Sequence, residues 1–310
     1  MAALTLLEAA KLHSGDVYRE GVIETIGTYG SILSVVPFMD INGGAYAYNR
    51  EQALPGVGFR GVNETFDSSV GVINPQVEVL KVFGGNIDVD RAIVKMHGED
   101  QRTTQEGMKL KALALDWGRT FIKGDSEANP REFDGLQKRL TGGQLIEAGS
   151  TSGGDALSLL KLDELIDAVD SPSHLLMNRT MARLLSASTR NTGVAGYLTY
   201  DKNEYGARVM MYNELPIVLV DEDASREQIL GFNEANSGGG TAASTSIYCV
   251  SLREDQLVGI QNDSVDVNDL GLLDSGAVYR TNIEWLNGIA MLGDKSAARL
   301  RGIKNAAVTA

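Results

Sequence analysis

The chain has 310 residues, of which 43% are hydrophobic, so it can bury a sizeable core in one large domain or two ordinary ones. Its formal net charge of −13 argues against unaided binding to nucleic acid, because lysine and arginine supply most of the affinity for phosphates. The 35 glycines and 6 prolines, with only 6% aromatic residues, favour turns and extended segments over a helical bundle.

The single cysteine and the N-terminus both bear on the cellular compartment. Cys249 stands alone, which excludes an intramolecular disulfide and predicts synthesis in a reducing compartment. Its apolar surroundings at 246–251 predict a strand and a buried, structural thiol. We expect neither a secretory signal nor a membrane span, since no basic residues lead the N-terminus and no apolar run reaches about 20 residues.

The first 70 residues predict an arm followed by a long hairpin. Helix-like spacing at 4–12 and 17–26 indicates two short helices with too little apolar surface to close on themselves. Alternating residues at 45–50 and 58–64 then predict two strands joined by 51–56. An isolated hairpin is marginally stable in water. It is therefore either an edge hairpin packed on its own domain or an arm laid over a neighbouring subunit.

A long amphipathic helix dominates the next segment. Strands are predicted at 77–83 and 87–90, separated by a turn at Gly84-Gly85-Asn86. From 99 to 123, apolar residues recur at helical spacing and form a stripe that we expect to be buried: Leu110, Leu113, Ala114, Trp117 and Phe121. Such a helix would be about 37 Å long. It stops at a Gly-Asp corner, and the run Arg-Glu-Phe-Asp-Gly-Leu at 131–136 then opens a short helix.

The second half predicts an α/β region after a Gly-, Ser- and Thr-rich boundary at 144–155. A helix face at 162–169 precedes a buried strand at 174–177, and Asn178 is placed to cap the helix that follows. Further strands are predicted at 207–211, 215–220, 246–252 and 257–261. A last strand pair is predicted at 277–286 and 289–292.

The residues give little sign of catalytic or metal chemistry. The three histidines, His13, His97 and His174, are far apart, and there is no metal-binding cluster or nucleophile motif. The Gly-rich run 238–244 lacks the lysine of a phosphate loop and predicts a flexible loop. Segment 201–206 matches only half of a calcium loop. The acidic residues between 263 and 274 predict a solvated loop, with a divalent-cation site as the alternative.

The order of these elements resembles the major capsid proteins of tailed phages with the Hong Kong 97 fold, across nearly the whole chain. The likeness is strongest in the corner between Phe121 and Leu140. The hairpin also contributes, through Arg50, Glu51, Leu54, Pro55, Gly56, Phe59 and Arg60. The resemblance implies an α+β fold with five parts: an N-terminal arm (1–37), an extended hairpin called the E-loop (38–72), a P domain with the long helix as its spine (73–145), an A domain (146–272) and C-terminal strands returning to the P domain (273–310).

By the same resemblance, the chain is expected to be a structural protein of the virion rather than an enzyme, with no cofactor. It would assemble in the host cytoplasm into pentamers and hexamers of an icosahedral head that encloses double-stranded DNA without reading its sequence. Separate scaffolding, portal and cement proteins are the partners implied, and no membrane is involved. The alternatives are an encapsulin nanocompartment shell and, from another class, a soluble α/β enzyme with an unrecognised site.

The resemblance also implies which residues join subunits. The E-loop would contact a neighbouring subunit through Tyr46, Tyr48, Arg50, Phe59 and Arg60, and the two arginines would pair with acidic residues there. The spine helix would pack through Leu110, Leu113, Trp117 and Phe121. Some capsids of this type are crosslinked through a lysine in the E-loop, but this chain has no lysine between Lys11 and Lys81. We therefore expect a shell held by non-covalent contacts.

Overall fold

The computed structural model describes most of the chain beyond the N-terminal arm. The described residues are 30–97, 100–188, 198–202, 208–220, 222–235, 238–240, 243–274 and 276–309. Both helices predicted for the arm, at 4–12 and 17–26, lie outside them.

Five helices and fourteen strands are described. The helices are α1 (Arg91–His97), α2 (Asp100–Lys123), α3 (Leu136–Arg139), α4 (Leu159–Asp167) and α5 (Arg179–Ser188). The first seven strands are β1 (Phe38–Asp40), β2 (Ala45–Ala53), β3 (Val72–Val79), β4 (Lys81–Asp90), β5 (Leu145–Glu147), β6 (His174–Asn178) and β7 (Leu198–Lys202). The others are β8 (Arg208–Tyr212), β9 (Leu215–Val220), β10 (Ser244–Val250), β11 (Leu257–Gln261), β12 (Asp266–Leu272), β13 (Val278–Met291) and β14 (Ala297–Lys304).

A five-stranded sheet forms around the long strand β13. Strand β4 pairs antiparallel along one edge of β13, while β12 and β11 pair with successive halves of its other edge, and β1 adds in parallel to β11. The predicted spine helix is confirmed as α2, and its apolar stripe is buried against this sheet. Trp117 lies at the centre, with ring centroids 5.6 Å from Phe38, 5.2 Å from Phe121 and 6.1 Å from Trp285.

A seven-stranded sheet runs in the order β5-β14-β10-β6-β9-β8-β7 and confirms the predicted α/β region. Successive residues of a strand point to opposite faces, so a sheet covered on both sides needs continuous apolar runs. In β6, Leu175 and Met177 pack with α4 and α5, whereas Leu176 joins the core around Trp117. Asn178 caps α5 as predicted, since its Oδ1 accepts the Met181 amide at 2.7 Å.

Four predictions about strands, turns and loops were wrong. The partner of β2 is β3, at Val72–Val79, and not 58–64. Gly84-Gly85 lies inside β4, where a Cβ on Gly84 would come within 2.0 Å of the Ile283 carbonyl oxygen, so glycine there permits close strand pairing. Residues 278–291 form one strand rather than a pair, because β4 pairs with 278–287 on one edge while β12 and β11 pair with 279–284 and 287–291 on the other.

The fourth wrong prediction is the acidic loop, much of which is strand β12. Asp266, Asn268 and Asp269 occupy this edge strand, and Arg102 neutralises Asp269 at 2.7 Å.

The two C-terminal strands, β13 and β14, lie in different sheets. Strand β13 lies in the sheet with β4, while β14 pairs with β10 and β5, which the sequence assigned to the A domain or its border.

Burial shifts the pKa of Cys249 and His174, which lie on strands of the seven-stranded sheet. Cys249 is buried as predicted, and burial raises the pKa of its thiol to about 12, so the thiol is protonated at neutral pH. Burial lowers the pKa of His174 to about 4, and the His174 Nδ1 lies 3.0 Å from the Ser173 hydroxyl. His174 is therefore neutral in the folded chain at pH 7.

We predict that His174 makes folding stability fall with acid. The unfolded chain protonates this residue near its ordinary pKa of 6.5, whereas the folded chain does so only near 4. Stability is thus lost as pH falls from about 6.5 towards 4, by up to about 3 kcal/mol, since a pKa difference of one corresponds to about 1.4 kcal/mol. Chemical denaturation between about pH 7 and pH 5 should show a shallower pH slope in His174→Gln than in the wild type. Equal slopes would contradict this assignment.

Candidate assembly interface

The hairpin has one face towards the rest of the chain and one towards solvent. Strands β2 and β3 pair from Ala45 with Val79 at the base to Ala53 with Val72 at the far end. Even-numbered residues of both strands, from Tyr46 on β2 to Glu78 on β3, face the body and are at least partly buried near the base. Odd-numbered residues there are exposed.

The solvent face of the hairpin is apolar, which inverts the usual pattern. Val77 and Val79 are 61% and 54% exposed, whereas the side chain of Glu78 between them is only 19% exposed. The exposed odd-numbered residues are Ala45, Ala47, Ile73, Pro75, Val77 and Val79, together with the polar Asn49. A contiguous exposed apolar surface on a folded chain marks a site that another surface covers.

The inner face is anchored in the chain's own core. Tyr48 is buried to 9% exposure and packs in a cluster with Leu80, Val258, Ile260 and Ala290. Tyr46 stacks on it, with ring centroids 5.7 Å apart. Burial raises the pKa of Tyr48, and the charge of Glu78 adds to that effect.

Ion pairs hold both strands of the hairpin, near the base on β3 and past the middle on β2. On β3, Arg139 of α3 donates to both carboxylate oxygens of Glu78, at 2.5 and 2.8 Å. On β2, Arg50 donates to Asp294 at 2.5 Å. The first pair is the more buried, with side chains 15% and 19% exposed, whereas Asp294 is 61% exposed. Exposed pairs contribute only about 0–1 kcal/mol, so the pair on β3 is the stronger anchor.

The far end of the hairpin, residues 54–71, has no strand pairing and little packing of its own. The Arg60 guanidinium lies 5.3 Å from the Phe66 ring centroid and donates to the Glu64 carbonyl at 3.1 Å. Residues 56–69 surround an open cavity of about 940 Å³. The large apolar side chains exposed here are Leu54, Val57, Phe59, Val62, Phe66 and Val70.

The corner after α2 joins the spine helix to the hairpin base. A Cβ on Gly124 or Gly135 would lie within 2.6 Å of backbone oxygens, so only glycine allows the chain to cross itself there. Asp134 accepts the Ser126 amide at 2.7 Å. Lys138 donates to Asp125 at 2.5 Å, which raises the pKa of the lysine and lowers that of the aspartate. This network orients α3, and with it the guanidinium that binds β3.

The predicted site residues fall into separate groups. Leu110, Leu113, Trp117 and Phe121 are buried together inside the chain. Tyr48 and Arg50 contact the chain's own body, while Phe59 and Arg60 lie in the exposed far end. Their contact with a neighbouring subunit stays a prediction, because the structure describes one chain.

Sequence reasoning missed three anchoring residues: Glu78, Arg139 and Asp294. Of the three, only Glu78 is marked by the local sequence, because it lies between Val77 and Val79 in a predicted strand. Alternation along a strand then places either the carboxylate or the two valines towards the body. The pattern does not say which face is inside. Arg139 and Asp294 are brought to the hairpin from 61 and 244 residues away in the chain, and no local pattern marks them.

Other candidate chemistry finds no support within the described ranges. They contain no group of three or more acidic, histidine or cysteine side chains placed to hold a metal ion. The half calcium loop lies largely outside them, since residues 203–207 are not described. Among the helices described, none is long and apolar enough to cross a membrane.

Comparisons with known proteins identify the fold. No protein-family model and no curated protein matches the chain. Among solved structures, it is similar to the holo-SrpI encapsulin complex of Synechococcus elongatus PCC 7942, with 16% identity, a TM-score of 0.67, and 90% of this chain and 89% of that one covered. It is also similar to the capsid of the native GTA particle (10% identity, TM-score 0.61) and to Mycobacterium phage Adephagia (11% identity, TM-score 0.60). In both comparisons, the match covers 89% of this chain and 90% of the other chain.

These neighbours are capsids and an encapsulin. Mixed helix and sheet, the long spine helix and the projecting hairpin complete the likeness. The chain therefore has the α+β fold of the Hong Kong 97 type that its sequence predicted.

Proposed function

We propose that the chain is a shell subunit that assembles with copies of itself into pentamers and hexamers of a closed icosahedral particle. The observation that carries this proposal is the hairpin, whose outward face and far end expose apolar side chains. No described residue covers those side chains, and contact with a second copy of the chain would bury them. In a chain with the fold of shell proteins, a second copy is the natural occupant.

We further propose that the shell is the head of a tailed phage and encloses double-stranded DNA. The resemblance of the corner and the hairpin to phage proteins supports this choice. The net charge of −13 supports it as well, because a shell must enclose packaged DNA without binding its phosphates tightly. Separate scaffolding, portal and cement proteins would then be the partners, and the virion its location.

An encapsulin shell is the second candidate. The TM-score of 0.67 to the encapsulin exceeds the 0.61 and 0.60 to the GTA capsid and Mycobacterium phage Adephagia, and this observation favours it. The two candidates differ in contents: a phage head holds nuclease-protected DNA, whereas a nanocompartment shell does not.

Both candidate functions require the chain to assemble into closed shells. Purification of the full chain followed by negative-stain microscopy tests this requirement. We expect closed, regular shells from this chain alone or with a co-expressed scaffolding protein. Particles isolated from the native source and treated with nuclease should retain double-stranded DNA. Shells without DNA would favour the encapsulin, and soluble monomers under every assembly condition would contradict both.

Assembly should depend on the exposed apolar end of the hairpin. We predict that Val57→Ser combined with Phe59→Ser sharply reduces the yield of shells. Both side chains are fully exposed in the single chain. The free energy of unfolding of the variant monomer should therefore stay within about 0.5 kcal/mol of the wild-type value. Leu160→Ser, at an exposed position on α4, is the matched control and should assemble normally. Equal shell yields for the hairpin and control variants would contradict an interface at the hairpin.

The shell should contain no covalent links between subunits. No lysine lies between Lys11 and Lys81, and the sole thiol is buried with its pKa raised to about 12. Lys81, at the hairpin base, donates to the Pro130 carbonyl at 2.9 Å. Mature particles boiled in detergent and reductant should run as one band near 33.2 kDa. A ladder of larger bands would show a crosslink from another residue.

A further inference from the structure

The hairpin is joined to the body by two connections that differ in rigidity. Residues 41–44 lead from β1 into β2 and include Gly43, whose φ of +111° only glycine readily adopts. No atom lies within 4 Å of where a Cβ on Gly43 or Gly44 would be, so this connection is loosely packed. On the other side a single residue, Leu80, separates β3 from β4, and its amide donates to the Gly44 carbonyl at 3.0 Å.

The loose connection at 41–44 leaves the angle of the hairpin to be fixed by the Leu80 connection together with side-chain contacts. Of the two ion pairs that hold the hairpin, the one between Glu78 and Arg139 lies at its base and has the geometry to fix a direction. It is bidentate, and the guanidinium is itself held, because its Nε donates to the Asp134 carbonyl at 2.6 Å. A planar fork bound to both oxygens of a carboxylate restrains rotation as well as distance.

We propose that the ion pair between Glu78 and Arg139 sets the angle at which the hairpin leaves the body, and thereby sets the diameter of the shell. The second half of this statement rests on the proposed function. Strand β2 has nine residues and is about 30 Å long. A tilt of about 10° at its base therefore displaces its far end by about 5 Å, the spacing of neighbouring strands.

A displacement of that size would change the contact made by the exposed end. In a closed symmetric assembly, every subunit repeats the same contact, so a change of angle at one interface accumulates around the particle. Glu78 and Arg139 are positioning residues in this scheme. They act on the interface through the hairpin and need not touch the neighbouring subunit.

The angle can be measured in the full chain without reference to assembly. Spin labels on cysteines placed at the exposed positions Asn49 of β2 and Met108 of α2 report the distance between hairpin and spine helix. Cys249 is buried and is not labelled under native conditions. Doubly labelled chain is diluted into an excess of unlabelled chain, so that only distances within one chain are detected.

Glu78→Gln removes the charge while keeping the shape of the side chain. We expect it to broaden the distance distribution by roughly twofold or to move its maximum, because the hairpin then samples several angles. Asp88→Asn is the matched control, since Asp88 also binds an arginine, Arg280, through both oxygens at 2.7 Å, but on the sheet β4–β13. Its distribution should equal the wild type. Arg139→Lys keeps the charge without the fork and should give an intermediate width, which also covers the case that Glu78→Gln folds poorly.

Shell diameters complete the test. We expect Glu78→Gln to give several diameter classes by negative-stain microscopy, whereas wild type and Asp88→Asn give the same single class. Unchanged distances in both Glu78→Gln and Arg139→Lys would overturn the role of the ion pair in setting the angle. Changed distances with unchanged diameters would overturn the control of shell size. Wild-type chain that forms no shells would count against the proposed function instead, and the distance measurement would still decide the angle.

Discussion

The contact between helix α2 and strand β13 through Trp117 supports the other parts of the fold. The indole packs against Trp285 of β13, and its Nε1 donates to Asn287 at 3.1 Å in a buried site. Truncating a buried tryptophan costs about 3–5 kcal/mol, a large part of the stability of a typical domain. Strand β13 in turn pairs with β4, β11 and β12, so the position of α2 on β13 determines where the corner at its end places Arg139. Helix α2 and its corner thus tie the hairpin to the centre of the molecule, in addition to the Leu80 connection and the cluster around Tyr48.

Features with local causes were predictable from the sequence. The apolar stripe of α2, the run of buried residues in β6 and the cap at Asn178 each follow from a period or a residue type that acts within a few positions. The same is true of Cys249, whose apolar neighbours foretold its burial. The resemblance supplied the order of elements, and the similarity to solved capsid and encapsulin structures confirmed the fold.

The errors arose where pairing over long distances overrides local signals. Glycines usually mark turns, yet Gly84 lies in a strand because the neighbouring backbone approaches too closely for a side chain. Acidic residues usually mark solvated loops, yet those of β12 form an edge strand beside β13. The sequence proposed Phe59 and Arg60 for the candidate interface, and both are exposed, whereas it did not point to the anchors Glu78 and Arg139. Whether a strand turns its charge or its valines inward depends on a partner that lies elsewhere in the chain.

Pro75 has a consequence for how chains of this kind avoid uncontrolled aggregation. It sits in the middle of β3 opposite Asn49, and because a proline cannot donate, its nitrogen is compatible with the outer edge of the hairpin rather than with the ladder to β2. A further strand added to that edge would meet a gap in the row of donors. The hairpin is thus better suited to stacking by its apolar face than to growing by strand addition. For the proposed shell subunit, this gap discourages fibril-like growth while the apolar face stays open for ordered association.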